Sequence, residues 1–416
     1  MPHFQSLSSS LILLALFATA VRSDWPEIMG PFRNGMADSS CKLPDERIGE
    51  LKFLWKIQAG EGYAGPAIAE NDLILFERVG DFDRVRMVNA NTGVEVWTRD
   101  LKATYRGGVN SDKGPRCVPS ILENKVVVYS ASGDLTVLDR KNGEMLWTRP
   151  LRKEFQAEDG YFGAGSTPLI VDDKIVVNVG GKSACVVCLS LSDGKTVWTA
   201  NKGEASYASP IVLTSNLTLT KLKVVVVPAR FSTSGINLAT GAELWKFPFG
   251  LRGPTVNAAT PIVTGEGNIF LTASYGIGSL TINPKMPSVE IVRKGEEISS
   301  QYASPISLNG CIYGSDGRED GGAGSFKCLR ESDESLGWEQ PNMPICYVIG
   351  VDQKLLLCGI NGKLWCLNAN NAKFDPVWET ALPTGVYRAM PALSENKLFT
   401  RSSDGREDVW LCIDLN

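Results

Sequence analysis

Seven apolar runs open on a proline, at Pro66, Pro119, Pro168, Pro210, Pro261, Pro305 and Pro391. The residues three positions earlier are Tyr63, Arg116, Gly165, Tyr207, Ala258, Tyr302 and Arg388, with Asn257, Gln301 and Tyr387 one step before. Tyrosines and arginines gathered about one axis would bind an anionic or carbohydrate ligand, by stacking and charge-assisted hydrogen bonds. The candidate ligand set is Tyr63, Arg116, Tyr207, Asn257, Tyr302 and Arg388. The competing reading is structural: the rings wedge between strands and the arginines pair with acids. No residue is assigned a catalytic or metal-ligating role.

Other reactive side chains point mostly to packing. The one histidine is His3, inside the leader described below, so a mature chain has no imidazole for a triad or a zinc site. Cys185 and Cys188 form Cys-x-x-Cys within a strand-like run, where a spacing of three puts them on opposite faces. Cys188, Cys328, Cys366 and Cys412 share one repeat position, which holds Met87 and Val137 in other units. Equivalent positions in separate units are too far apart to bridge, so these cysteines read as small buried hydrophobes. Cys41, Cys117, Cys311, Cys346 and Cys358 stay open to disulfide pairing. Asp-Gly-Arg-Glu-Asp occurs twice, at Asp316–Asp320 and Asp404–Asp408. Clustered acids suit Ca²⁺, but a solvated turn is the simpler reading. Asn216-Leu217-Thr218 is a glycosylation sequon.

A repeat must position these residues. Gly stands four residues before Trp in four segments, ending at Trp97, Trp147, Trp198 and Trp245. The Thr-Gly, Asn-Gly and Asp-Gly pairs are hairpin turns, because Gly accepts a positive φ. Each segment reads strand, tight turn, strand. Trp55, Trp338 and Trp378 continue the series, and Val289–Val292 stands where a tryptophan is due between Trp245 and Trp338. Trp55 to Trp378 covers seven intervals of about 46 residues, the period of an all-β propeller. Counting gives eight units, the last lacking its Trp strand. Residues 51–58, around Trp55, are expected to supply that strand and close the ring.

The outer parts of the chain fit an exported protein. Residues 11–20 are an apolar run of ten, too short to cross a bilayer, followed by small residues. Residues 1–23 therefore read as a secretory signal peptide, with an uncleaved anchor as the alternative. Residues 24–50 form an N-terminal extension and 51–416 a single propeller domain. No later run is long enough to span a membrane. The formal net charge of −4, from 42 Lys+Arg against 46 Asp+Glu, gives no electrostatic footprint for nucleic acid.

These Gly-x-x-x-Trp units resemble the PQQ-like, quinoprotein-type propeller repeat with its tryptophan-docking motif. The opening Trp25-Pro26 and Gly30-Pro31-Phe32-Arg33-Asn34-Gly35 are similar to those of exported bacterial PQQ-like repeat proteins, and the repeat is similar to that of the BamB-like propellers. The resemblance implies an eight-bladed ring whose tryptophans dock between blades. It also implies a periplasmic or secreted binding or assembly scaffold, without a cofactor, for a protein or polymer partner. The alternative is a PQQ- and Ca²⁺-dependent alcohol or sugar dehydrogenase. That family pattern includes adjacent cysteines, Ca²⁺ ligands and a catalytic Asp, and no two cysteines are adjacent here.

Overall fold

In the computed structural model, the described residues are 24–46, 49–215, 222–253, 255–284, 288–403 and 407–416. The leader at 1–23 and the sequon at 216–218 lie outside them. Strands Ala67–Ala69, Asp72–Val79, Phe82–Asn89 and Glu95–Lys102 pair consecutively as blade 1. Blades 2 to 7 repeat this order over 120–150, 169–200, 211–248, 262–295, 306–343 and 346–381. The eighth holds Ala392–Ser394, Lys397–Ser403 and Asp408–Asp414, with Lys52–Gln58 as its outermost strand. Trp55 stands opposite Cys412 in that pair, so the chain's two ends close an eight-bladed propeller.

Burial follows strand position. Second strands are covered on both faces by neighbouring blades, as in Val126-Val127-Val128, and read as continuous apolar runs. Outermost strands alternate: Glu95–Lys102 exposes most positions while burying Trp97 and Leu101.

The Gly-x-x-x-Trp spacing serves two different interfaces. The Trp55 indole N–H donates to the Ala90 carbonyl of blade 1 at 2.8 Å, Trp97 to Arg140 of blade 2 at 2.9 Å, and Trp198 to Leu238 of blade 4 at 2.9 Å. Each indole lies on the turn glycine of the next blade. A Cβ on Gly143 would stand 2.5 Å from the Trp97 ring, and one on Gly241 2.8 Å from Trp198. These glycines also hold φ of 68° and 76°, so turn geometry and docking both exclude a side chain. Trp147 keeps its bond to Leu191 but is only half-buried.

The fifth unit corrects the sequence register. In every other blade the tryptophan faces the third strand at the residue preceding a bulge. In blade 5 that place, opposite Thr281, belongs to Arg293, not to Val292, which is exposed. The glycine it would meet in blade 6 is replaced by Glu334, at φ 50°. Arg293 copies the indole by donating to the Asp333 carbonyl at 2.6 Å in that turn.

The segment before the propeller runs through the ring. Trp25 pairs with Ile68 of blade 1, and the Ile121 N–H of blade 2 donates to Pro26. Arg33 reaches the Thr167 and Pro168 carbonyls before blade 3, and Met36 bridges to Gly350 of blade 7. Trp25 and Arg33 are buried. Close turning at Met29, Gly30, Arg33 and Gly35, all with positive φ, lets so short a segment touch opposite blades. Residues 24–36 thus fill the axial channel at the end of the ring bearing the Gly-Trp turns.

Candidate functional site: the axial funnel

Connections that lead from one blade to the next turn inward on the opposite end of the ring. Their last residues, just before each inner strand, define a funnel of about 220 Å³. Its wall carries Tyr63, Arg116, Gly165, Tyr207, Ala258, Gln301, Tyr302 and Arg388, and Ile28 of the N-terminal segment lies at its base. Five of the six candidate residues therefore meet as the proline spacing predicts. Asn257 does not: it is buried, and its amide donates to the Arg230 and Phe249 carbonyls at 3.1 and 3.2 Å. It braces a loop beside the funnel. Tyr387 is a core residue whose hydroxyl donates to Pro383.

The arginines carry acids with them. Arg116 donates to Asp112 Oδ1 at 2.8 Å and lies over the rings of Tyr63 and Tyr105, 5.4 and 5.5 Å from their centroids. Arg388 donates from Nε to both Glu319 oxygens at 2.9 and 2.7 Å and from Nη1 to the Tyr63 hydroxyl at 3.1 Å. The Tyr302 hydroxyl also donates to Glu319, at 3.1 Å, and the Asn110 amide to Tyr63. Burial alone would lower Arg388, but the hydrogen bonds and charge of Glu319 outweigh it and hold the guanidinium above the ordinary arginine value. Tyr302 is pushed up chiefly by burial, then by the Tyr347 and Glu319 charges. The structural reading of the arginines, pairing with acids, is what the geometry displays.

Glu319, Asp112, Asn110 and Tyr347 were not among the sequence candidates. Glu319 sits in the first Asp-Gly-Arg-Glu-Asp turn, between the second and third strands of blade 6. In a propeller that hairpin shares an end with the funnel, so the turn's place within the repeat was the available signal. The acids of this copy all meet cations of the chain: Asp316 with Lys327 at 2.7 Å, Glu319 with Arg388, and Asp320 with Arg318 at 2.5 Å. The second copy occupies the same hairpin in blade 8, where Asp408 pairs with Arg401 and Glu407 with Lys56; residues 404–406 lie outside the described set. All ten cysteines are buried free thiols, including the five left open to pairing. Burial pushes Cys117, Cys188, Cys358, Cys366 and Cys412 up to about 12. No helix among the described residues is long and apolar enough to cross a membrane.

Comparison with known proteins places this geometry. The family described as outer membrane protein assembly factor BamB matches residues 81–340. A relative of that name from Shewanella oneidensis is 24% identical over 163 residues, which cover 39% of this chain and 40% of the relative. Among solved structures, BamB from Moraxella catarrhalis superposes with a TM-score of 0.63 at 18% identity, over 88% of this chain and 98% of that one. A europium-containing methanol dehydrogenase superposes with a TM-score of 0.68 at 10% identity, over 93% and 90%. At these identities the superpositions show a common fold.

Proposed function

Since the chain belongs to the family of the outer membrane protein assembly factor BamB, we propose that it acts by binding, as an exported scaffold that docks a protein or polymer partner at the funnel end of the ring. The observation that carries this reading is the charge pairing of the funnel. Arg116 and Arg388 are fixed by Asp112 and Glu319 and flanked by tyrosine rings. Such a surface is rigid, nearly neutral and rich in Tyr and Arg, the residue types that dominate protein-interface energetics. Among the described residues, its two arginines are each paired with a carboxylate of the chain. Export to the periplasm is part of the proposal and rests on the leader composition and on the named relatives.

The dehydrogenase relatives raise a second reading, with PQQ and Ca²⁺ in the funnel. PQQ is a flat tricarboxylate and calls for uncompensated cations. The two funnel arginines already carry carboxylates, and no adjacent cysteines are present to lie against a quinone. The donor set does not fit that group.

Two measurements test the proposal together. The purified chain is titrated with PQQ and Ca²⁺ by calorimetry, with a dye-linked oxidation assay over alcohols and sugars. Cross-linked envelope extracts are compared for the wild type and for Arg116→Ala and Arg388→Ala. A defined partner lost in both variants, with no PQQ binding, is the expected result. Stoichiometric PQQ binding with turnover overturns it.

A further inference from the structure

Beside the funnel, a cleft of about 710 Å³ opens between blades 3 and 4, and Tyr207 divides the two. We propose that this cleft is a binding site for an anionic saccharide, with its acid group held by Arg152.

Arg152 sits on the short helix Leu151–Glu154 and is 6% exposed. Its stem lies on Gly133, where a Cβ would come within 2.1 Å of it, so the guanidinium is held from behind. Nε and Nη1 are buried and have no hydrogen-bond partner. The nearest acid is Asp159, at 3.8 Å and largely exposed, too far for a hydrogen bond. A buried donor left unpaired is costly, and a cation more so. The other cations of the cleft are already engaged: Arg230 with Glu204 and the Tyr161 hydroxyl, and Lys182 with Glu158. Among the described residues that line the cleft, Arg152 is therefore the one cation without a hydrogen-bonded carboxylate, and so the one left to receive an incoming oxyanion.

The remaining lining selects the rest of the ligand. Glu158, Asp159 and Glu204 stand at the rim, where they accept hydroxyl hydrogen bonds and repel a second negative charge. Gly160, Gly180 and Gly181 leave flat backbone walls, and the rings of Tyr161 and Tyr207 supply apolar faces. Stacking faces, many acceptors and a single buried cation match a molecule with several hydroxyls and one acid group. A compact inorganic anion satisfies only Arg152. The volume lies within the range of small-molecule sites. The funnel differs in that both of its arginines donate to carboxylates, Arg116 to Asp112 and Arg388 to Glu319, although Arg116 Nε is likewise buried without a partner.

The test is calorimetric titration of the full chain with glucuronate, glucose and inorganic sulfate. Glucuronate should bind about tenfold or more tighter than glucose, the worth of a charge-assisted hydrogen bond, and more tightly than sulfate. Arg152→Gln should bring glucuronate down to the level of glucose. Tyr161→Ala, at the cleft wall, should weaken both sugars, and it covers the case in which the Arg152 variant does not fold. The proposal is overturned if neither sugar binds, if glucose or sulfate matches glucuronate, or if either folded variant retains full glucuronate affinity.

Discussion

The fifth blade interface can be converted to the form used elsewhere in the ring. Arg293 and Glu334 stand where other interfaces place Trp and Gly. Arg293 donates to Glu297 at 2.6 Å and to the Asp333 carbonyl, yet its Nε lies 3.6 Å from Glu334 Oε2, and neither atom has a hydrogen-bond partner. Burial pushes the Glu334 carboxyl above the ordinary range, and its backbone occupies a left-handed conformation suited to glycine. Arg293→Trp with Glu334→Gly should therefore stabilise the protein. A docked indole buries about 150–250 Å², worth roughly 4–6 kcal/mol at about 25 cal/mol per Å². About half of that replaces area already covered by the arginine stem, leaving roughly 2–3 kcal/mol. Relief of the left-handed carboxylate adds about 1 kcal/mol.

The single variants should behave differently. Arg293→Trp alone meets the Glu334 side chain and removes the nearest cation from a buried carboxylate, a loss of about 3 kcal/mol or more before any packing gain. Glu334→Gly alone trades a weak ion pair for relief of strain and should change stability by less than about 1 kcal/mol. Denaturant unfolding of the four proteins gives the coupling energy, which should exceed about 2 kcal/mol in the stabilising direction. Additive single effects, or a double variant less stable than the wild type, would refute the equivalence of the two docking pairs.

Three further outcomes follow from the same geometry. Trp198→Ala should cost about 3–5 kcal/mol, as for a large buried aromatic, and half-buried Trp147→Ala roughly half as much; equal losses would contradict the burial difference. Thiol titration with an aromatic disulfide reagent at pH 8 should detect no fast-reacting cysteine in the native chain and all ten after denaturation, and a shortfall would reveal a disulfide. Burial raises the Asp134 carboxyl above 3.8. Its folded form then binds protons more tightly than the unfolded one. Its contribution to stability is thus complete below about pH 3.8 and is lost as pH rises through the folded value. Asp134→Asn should gain on the wild type across that rise in melting experiments, and a gain on acidification instead would reverse the assignment.

Periodic features of the chain were legible without coordinates. Gly93 and Trp97, or Gly143 and Trp147, recur at one spacing because four successive interfaces make the same contact of indole on turn glycine. A local pattern of turn glycine, alternating strand and docking tryptophan is therefore enough to count eight blades. The ring must close or leave an open edge, so the orphan strand around Trp55 had one place to go. The prolines before the inner strands marked the funnel wall for the same reason, and five of the six candidates lie on it.

What repeats least needed the tertiary structure. Arg388 meets Glu319 across 69 residues of chain, and Arg116 meets Asp112 within an irregular loop. Asp112 occupies no repeated position, and the motif equivalent of Glu319, Glu407, pairs with Lys56 instead. Asn257 turns aside because its amide satisfies two loop carbonyls, a demand set by packing rather than by spacing. The Arg293–Glu334 pair hides in the sequence because two substitutions on different blades compensate only when the blades touch. Residues 24–36 carry no repeat, and their course through the channel follows from contacts with blades 1, 2, 3 and 7 at once. The sequence determined the ring through interactions that are local and repeated. The contents of its axis were decided by the folded chain, where residues distant in sequence converge and each buried polar group must find its partner.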